Sequence, residues 1–313
     1  MSPARTVFLG TGRFGLETLW RLADHPAVDL VGIITAPARP AGRHGNVSAS
    51  PIGMAAEELG VSPILTPERL RAPESVEAIL ALEPELAALA DYGQIVPPAL
   101  LGLRHGALNL HPSLLPRHRG ATPIPATILA DDRETGVTLI RMDAGLDTGP
   151  IVGVGVLPLG GAETTPELEE RLAMLAATVL QDQLEPWIAG AITPKPQVEA
   201  DATLTTVLHR QDGRLDPMRP AVELERRIRA LLPWPGTFLE LDRVGRLIVR
   251  SAVVGPAEAG DEPGLIVADG EGLALTTGAG RLRLGIVQLA GRRALDAATA
   301  RRGAPALVGS RVV

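Results

Sequence analysis

The sequence predicts an α/β protein in which a Rossmann-like domain with a mostly parallel sheet is followed by a small OB-like β-barrel domain. Three observations lead to this prediction. In the first half, short β-branched runs alternate with helical patterns, as in parallel sheets joined by crossover helices. A stretch rich in Pro and Ala, from 188 to 206, then interrupts every periodic pattern. Beyond it, short strand-like runs are punctuated by Gly, which is typical of a small barrel.

The N-terminal part begins with a β-α-β pattern. "RTVFLG" at 5–10 predicts a strand, "FGLETLWRLA" at 14–23 an amphipathic helix, and "VDLVGIIT" at 28–35 a second strand. Such a unit implies a parallel sheet with right-handed crossovers. Further strands of the same sheet are predicted at 85–90 and 106–110, a hairpin-like pair at 136–142 and 151–159, and a closing helix at 165–187.

The chain is predicted to divide into a catalytic domain at 1–188, a linker at 189–206 and a C-terminal barrel domain at 207–313. In the last of these, "PAVELERRIRALLP" at 220–233 predicts one amphipathic helix. Five strand-like segments follow: "TFLELD", "RLIVRSAVV", "GLIVAD", "GLALTT" and "RLRLGIVQL". Five short strands and one helix suggest a barrel of the oligonucleotide-binding type.

The overall composition excludes several classes of protein. The chain has 313 residues, 45% of them hydrophobic and 21% charged, which is ordinary for a folded globular protein. No apolar run approaches the roughly 18 residues that a membrane span needs, and the N-terminus lacks the pattern of a secretory signal, so a cytoplasmic protein is expected. Because the chain contains no Cys, disulfides, thiolate metal sites and cysteine nucleophiles are excluded.

Charge is distributed unevenly along the chain. The net charge is -6, but residues 205–313 hold 16 basic and 12 acidic side chains, a net charge of +4. Arg226, Arg227 and Arg229 contribute to this charge from one predicted helix. A basic C-terminal part favours a polyanion such as nucleic acid as a partner, and a plain solvated helix face is the alternative.

The stretch "LGTGRFG" has the Gly-x-Gly-x-x-Gly spacing of a dinucleotide-binding turn. Its glycines are Gly10, Gly12 and Gly15. A dinucleotide site also needs an Asp or Glu at the end of the second strand, and here that strand ends in Thr35 and Ala36. An NADP site using Arg39 or Arg43 stays open. The glycines are expected to serve a tight strand-to-helix turn, and no NAD is predicted as cofactor.

Residues suited to catalysis are concentrated in "NLHPSLLPRHRG" at 109–120 and "DAGLDTG" at 143–149. Alternation along the predicted strand places Asn109 and His111 on the same face, at the carboxyl end where open α/β sheets bind ligands. Asp147 follows in a loop framed by glycines. An amide, an imidazole and a carboxylate together suit direct acyl transfer, in which the imidazole and the amide stabilise the oxyanion. The carboxylate would hold the protonation state of the imidazole or relay protons.

Two other types of site fit this region less well. Ser113 follows a Pro without the pattern of a nucleophile elbow, so covalent catalysis is not favoured. His105, His111 and His118 are not spaced like a zinc motif, and Arg117 and Arg119 flank the last of them. No metal site is predicted. Ordinary local roles, such as a turn histidine and an Asx turn, remain the alternative for each residue taken singly.

The segments "ALNLHPSLLPRHRGATPI" and "ETGVTLIRMDAGLDTGPIV" strongly resemble the signature of the folate-dependent formyltransferases, and the rest of the chain resembles the methionyl-tRNA formyltransferases among them. The resemblance implies transfer of the formyl group of 10-formyltetrahydrofolate to the α-amino group of initiator methionyl-tRNA, for translation initiation. It makes Asn109, His111 and Asp147 the catalytic residues, and it implies a tRNA-binding role for the barrel domain and a monomeric enzyme. The residues it implies at the folate are Ser113, Leu114, Leu115, Pro116, Gln94 and Ile95, and the residue it implies at the tRNA is Arg43.

The chain departs from the pattern of this family at a few positions. Gly12 stands where the family usually has Pro, Asp91 stands where a small residue is usual, and the loop at 37–50 is less basic. None of these departures touches the catalytic trio. The alternative reading within the family is a formyltransferase acting on a nucleotide-linked amino sugar. Outside it, a nicotinamide-dependent oxidoreductase rests on the glycine turn and a non-catalytic RNA-binding module rests on the barrel.

Overall fold

The computed structural model describes residues 2–41 and 46–313. Contacts divide the chain into two units. The first comprises Met1–Pro123, Glu134–Pro158 and Glu169–Thr205, and the second comprises Ile124–Arg133, Leu159–Leu168 and Thr206–Val313. Two short stretches from the part of the chain predicted as the catalytic domain, 1–188, thus belong to the second unit, which no local sequence pattern indicates.

The first unit is built on one large sheet. Its described strands are β1 (Ala4–Gly10), β2 (Val28–Ile34), β3 (Arg39–Ala41), β4 (Asn46–Ser48), β5 (Ile64–Leu65), β6 (Leu86–Ala90), β7 (Ala107–His111), β8 (Arg119–Gly120), β9 (Glu134–Arg141), β10 (Ile151–Pro158) and β11 (Leu204–Thr205). The main sheet has the order β10-β9-β7-β6-β1-β2-β5. Strands β7, β6, β1, β2 and β5 run parallel to one another. Strand β9 runs antiparallel to β7, and β10 runs antiparallel to β9. This confirms the predicted mostly parallel sheet.

The described helices are divided between the two units. They are α1 (Leu16–Ala23), α2 (Pro51–Leu59), α3 (Pro73–Leu80), α4 (Pro98–Leu101), α5 (Pro123–Leu129), α6 (Thr165–Ile188), α7 (Ala221–Ala230) and α8 (Ala297–Gly303), with α7 and α8 in the second unit. Every residue of β6 is buried, because a central parallel strand is covered on both faces and needs apolar side chains on both. The described helices contain no segment long and apolar enough to cross a membrane.

The glycine turn between β1 and α1 is required by close approach to β6. A Cβ atom added at Gly10 would lie 2.9 Å from the carbonyl oxygen of Ala90, and one at Gly15 would lie 3.0 Å from the same oxygen. Gly12 has φ -88° and Gly15 has φ -79°, which other residues also adopt. The turn is tight as predicted, and the reason for its glycines is space rather than left-handed backbone.

The second unit contains the predicted antiparallel β domain, with more strands than expected. Residues 206–313 form β12 (Thr237–Leu241), β13 (Gly245–Val249), β14 (Ala252–Gly255), β15 (Ile266–Asp269), β16 (Gly272–Thr276), β17 (Arg281–Leu284), β18 (Ile286–Leu289) and β19 (Leu295–Asp296). They form two sheets, ordered β12-β13-β18-β19 and β14-β17-β16-β15. Helix α7 lies at 221–230, within the predicted segment, and contributes Leu224 and Ile228 to the core of this unit.

The prediction of five strands was wrong because two apolar runs each turn a corner between the sheets, and because the two-residue strand β19 follows the last predicted segment. "RLIVRSAVV" breaks after Val249, so that β13 lies in one sheet and β14 in the other. "RLRLGIVQL" breaks at Gly285, where an added Cβ would lie 2.5 Å from the Ser251 hydroxyl oxygen. Strands that switch sheets bend at the corner, and a hydrophobic pattern that continues through the bend does not reveal it.

Candidate active site

The candidate site lies at the carboxyl end of β7, beside the end of β6. Asn109 is half-buried in β7, and His111 is the last residue of that strand and is buried. Leu89 of β6 pairs with Asn109, and Ala90 pairs with Leu110. The pattern of alternation therefore places Asn109 and His111 where the sequence predicted them, at the edge of the sheet where parallel strands end.

The surroundings of His111 fix its tautomer. The Nε2 atom lies 2.9 Å from the backbone oxygen of His118, and because a carbonyl only accepts, Nε2 carries the proton and donates it. The Nδ1 atom faces the Asp147 carboxylate, with 3.6 Å to Oδ2. Burial lowers the pKa of His111, and the charge of Asp147 and the bond to His118 oppose that effect only in part. The neutral ring thus presents an unprotonated Nδ1 toward Asp147.

The Asp147 loop is held in one conformation by its own polar groups. Asp147 has the left-handed φ of 53°, and its Oδ2 accepts a hydrogen bond from the Gly120 amide at 2.8 Å. The Asp143 carboxylate accepts from the Gly145 amide at 2.9 Å and from the Thr148 hydroxyl at 2.6 Å. The fold therefore brings Asp147 beside His111 from another loop, and the predicted proximity of these two residues is observed.

The segment Ser113–Pro116 forms the turn that follows β7. The Ser113 hydroxyl donates to the Arg117 carbonyl oxygen at 2.6 Å, and Ser113 is fully buried. Thr138 of β9 fixes the turn, since its hydroxyl donates to the Ser113 oxygen at 2.7 Å and accepts from the Leu115 amide at 3.0 Å. Leu115 is buried, while Leu114 and Pro116 are half-buried. The Ser113 hydroxyl is engaged in the turn.

The other predicted folate residues follow β6. The Gln94 side chain accepts from the Leu70 amide at 2.7 Å and donates to the Pro67 oxygen at 3.1 Å, so its amide stabilises a neighbouring loop. Ile95 is 66% exposed. Neither side chain is hydrogen-bonded to His111 or Asp147. The predicted tRNA residue Arg43 lies outside the described residues.

Two of the departures from the family pattern meet at the same edge of the sheet. A Cβ atom at Gly12 would lie 1.7 Å from Oδ2 of Asp91, so the space left by the glycine holds this carboxylate. The Thr11 amide donates to the Asp91 backbone oxygen at 3.0 Å, and burial raises the pKa of the Asp91 carboxyl. Gly12 and Asp91 are therefore sterically coupled, because a side chain at position 12 would occupy the space of this carboxylate.

Two residues that contact the site were not found from the sequence. Thr138 lies on β9, which is buried along its length except at its two ends, and a Thr in such a strand carries no special signal. Gln197 lies in the segment expected as a linker and contacts the Asp147 loop. No motif links either residue to the catalytic trio. Among the residues that the structure describes, no group of His, Asp and Glu is arranged to hold a metal ion.

Replacing Gly120 by Ala is expected to destabilise the protein by about 1–3 kcal/mol, because φ is +106° there and an added Cβ would lie 2.7 Å from the Thr205 carbonyl oxygen. The control is Gly190→Ala, which also has a positive φ, +71°, but has no atom within 4 Å of the added Cβ. Thermal unfolding should show the larger loss for Gly120→Ala. Equal losses would contradict the role of the close contact.

Comparison with known proteins assigns both parts of the chain to one family. Residues 4–184 match the formyl transferase family, and residues 208–305 match the formyl transferase C-terminal domain. The methionyl-tRNA formyltransferase of Roseiflexus sp. (strain RS-1) is 42% identical over 302 residues, which cover 96% of this chain and 93% of that protein.

Two solved structures share the fold. The N-formyltransferase from Helicobacter canadensis, solved with folinic acid and dTDP-3-aminofucose, has a TM-score of 0.64 at 14% identity and covers 89% of this chain and 97% of its own. HypX from Aquifex aeolicus, solved with tetrahydrofolic acid, has a TM-score of 0.63 at 17% identity and covers 96% of this chain, which spans 47% of that protein. At these identities the likeness concerns the fold alone. From its family match and its relative of nearly equal length, the chain belongs to the formyltransferase family, in the group of the methionyl-tRNA formyltransferases.

Proposed function

We propose that this enzyme transfers the formyl group of 10-formyltetrahydrofolate to the α-amino group of initiator methionyl-tRNA in the cytoplasm, acting as a monomer in translation initiation. One observation carries the proposal: His111 Nδ1 lies 3.6 Å from the Asp147 carboxylate, and His111 is on the strand that also holds Asn109. A base and an amide at one edge of a parallel sheet suit attack by an amine on an acyl carbon.

The chemistry follows from the protonation state of His111. The amine nitrogen attacks the formyl carbon, the carbonyl oxygen becomes an oxyanion, and the Asn109 amide donates a hydrogen bond to it. His111 Nδ1 takes the amine proton, and Asp147 stabilises the imidazolium that forms. Collapse of the intermediate breaks the bond between the formyl carbon and N10 of the folate, and the proton returns from His111 to N10.

This mechanism differs in one respect from the expectation that both Asn109 and His111 stabilise the oxyanion. Neutral His111 donates its Nε2 proton to the His118 oxygen, and Nδ1 has no proton to donate. His111 gains a second N–H only after it has accepted the amine proton. The oxyanion in the first step is therefore assigned to Asn109.

We assign the folate to a position against the turn after β7 and the segment after β6. Leu114, Pro116 and Ile95 offer half-buried or exposed apolar surface beside the site. The conformation of the turn and of the loop is fixed by the hydrogen bonds of Ser113, Leu115 and Gln94 described above. Apolar walls with few polar groups are usual for sites that bind planar cofactors.

The tRNA is assigned to the basic C-terminal part and to Arg43. The three helix arginines that suggested a polyanion partner are engaged within the second unit. Arg226 pairs with Asp131 at 2.7 Å, Arg227 donates to the Asp212 oxygen at 3.0 Å, and Arg229 pairs with Glu225 at 2.7 Å. They therefore stabilise the unit, and we assign the binding of phosphates to other arginines of the domain.

The decisive assay supplies 10-formyltetrahydrofolate with either charged initiator tRNA or a nucleotide-linked amino sugar. We expect kcat/KM to be higher for methionyl-tRNA by at least about two orders of magnitude, because a site built for one polar substrate rejects another that leaves its groups unpaired. N-acetylated methionyl-tRNA, which has no free amine, is the control and should accept no formyl group. Faster formylation of the amino sugar would replace the proposed substrate.

A further inference from the structure

The segment 195–205, called the strap below, lies along both loops of the active site. At one end, Lys195 and Ile151 exchange backbone hydrogen bonds of 2.7 and 2.8 Å. At the other end, β11 pairs in parallel with β8, and the Arg119 amide donates to the Thr203 oxygen at 2.9 Å. The strap is thus tied to the loop that follows His111 and to the strand that follows Asp147.

Gln197, in the middle of the strap, has every hydrogen-bonding position of its amide filled. Its Nε2 atom donates to the backbone oxygens of Asp147 and Gly149, both at 2.7 Å. Its Oε1 atom accepts from Arg119 Nε at 3.1 Å and from Nη2 at 2.9 Å. The opposite orientation of the amide would place oxygen against two carbonyls and nitrogen against a guanidinium, so chemistry leaves only this orientation.

Arg119 contacts the Gln197 amide on the side opposite to Asp147. The Arg119 side chain is 3% exposed, and its guanidinium makes a two-point contact with Glu199, with distances of 3.0 and 2.9 Å. These bonds lower the pKa of the Glu199 carboxyl, which stays ionised opposite the buried cation. The adjacent Gly120 amide holds Oδ2 of Asp147 at 2.8 Å. Asp147 is therefore held by its backbone through Gln197 and by its side chain through Gly120.

We propose that Gln197 is a positioning residue for formyl transfer, which fixes the backbone of Asp147 so that its carboxylate faces His111 Nδ1. This inference rests on the proposed function. The four hydrogen bonds of the Gln197 side chain go to Arg119, Asp147 and Gly149, so Gln197 acts through Asp147. The Asp147 conformation has a left-handed φ, which a non-glycine residue keeps only when its surroundings hold it. A displacement of about 1 Å at a reacting group lowers the rate by up to about 100-fold.

Gln197→Met tests the proposal, because Met keeps the volume of the side chain and removes its four hydrogen bonds. We expect kcat to fall about 10- to 100-fold while KM for both substrates changes less than about three-fold. Gln197→Glu keeps an acceptor for Arg119 and places oxygen against the two carbonyls, so it should be impaired as well. The matched control is Gln181→Met, the same substitution at an exposed side chain of α6, which should keep kcat within about three-fold.

A second readout separates positioning from general stability. Burial lowers the pKa of His111, and the charge of Asp147 raises it. His118 acts in both directions, because the bond to its carbonyl oxygen raises the pKa of His111 and the charge of its ring lowers it. When Asp147 moves away, His111 should titrate at lower pH, both by NMR of the folded protein and in the acid limb of kcat. Folded Gln197→Met with wild-type kcat, or with a lower kcat and an unshifted His111 titration, overturns the proposal.

The NMR titration needs no substrate. A wild-type enzyme that does not formylate methionyl-tRNA refutes the proposed function, and the His111 titration then decides the positioning of Asp147 alone. If Gln197→Met does not fold, Gln197→Glu serves for the same titration, with the same expected shift and the same contradicting result.

Discussion

Replacing His111 by Ala lowers kcat for formyl transfer by an expected factor of about 10² to 10⁴, because the variant has no base at the position of Nδ1 to take the amine proton. KM for methionyl-tRNA should change little, since the buried imidazole contributes to the transfer step rather than to binding of the tRNA. Single-turnover formylation with a saturating folate measures the effect. Retention of a near-normal rate would exclude His111 as the base.

The matched control for this variant is His105→Ala. His105 precedes β7 at its amino end, and the Trp187 indole donates to its backbone oxygen, which Ala also provides. We expect an unchanged kcat. The pH profile gives a second test: burial lowers the pKa of His111, so the wild-type rate should hold below the ordinary pKa of His, near 6.5, and fall only as the ring is protonated at lower pH.

Replacing Asp147 by Asn is expected to lower kcat by about 10² to 10³, because the imidazolium formed during transfer loses the charge that stabilises it. The Asn side-chain oxygen still accepts from the Gly120 amide, so the fold of the loop should remain. The sign of the pH effect follows from the cause: Asp147 raises the pKa of His111, and its removal moves the acid limb of kcat to lower pH.

Asp143→Asn is the control in the same loop. The Asp143 carboxylate is exposed and accepts from Gly145 and Thr148, and an amide oxygen accepts as well. Its kcat should stay within a few-fold of wild type, with no shift of the pH profile. If Asp143→Asn and Asp147→Asn reduce kcat equally, the effect comes from loop structure and the assigned role of Asp147 is wrong.

Much of the fold could be predicted because its signals are local. The strands at 86–90 and 107–111, the hairpin β9–β10 and the helix α6 follow from hydrophobic period and from Pro and Thr at a helix start. The corners between the two sheets of the second unit were not predicted, because Arg250 and Gly285 are single residues inside segments that otherwise resemble one strand each. The sheet to which a strand belongs depends on the strands it pairs with, which its own sequence does not indicate.

The sequence by itself determined the α/β fold class, the edge of the sheet at which Asn109 and His111 lie, and the family motifs. These features rest on periodicity and on the order of residues within one segment. Only the tertiary structure decided that His111 donates from Nε2 to the His118 oxygen, that the Gly120 amide donates to the Asp147 carboxylate and that Gln197 donates to the Asp147 backbone oxygen. The last two hydrogen bonds join residues 27 and 50 positions apart, and a bond between distant loops exists only once the whole chain has placed them together.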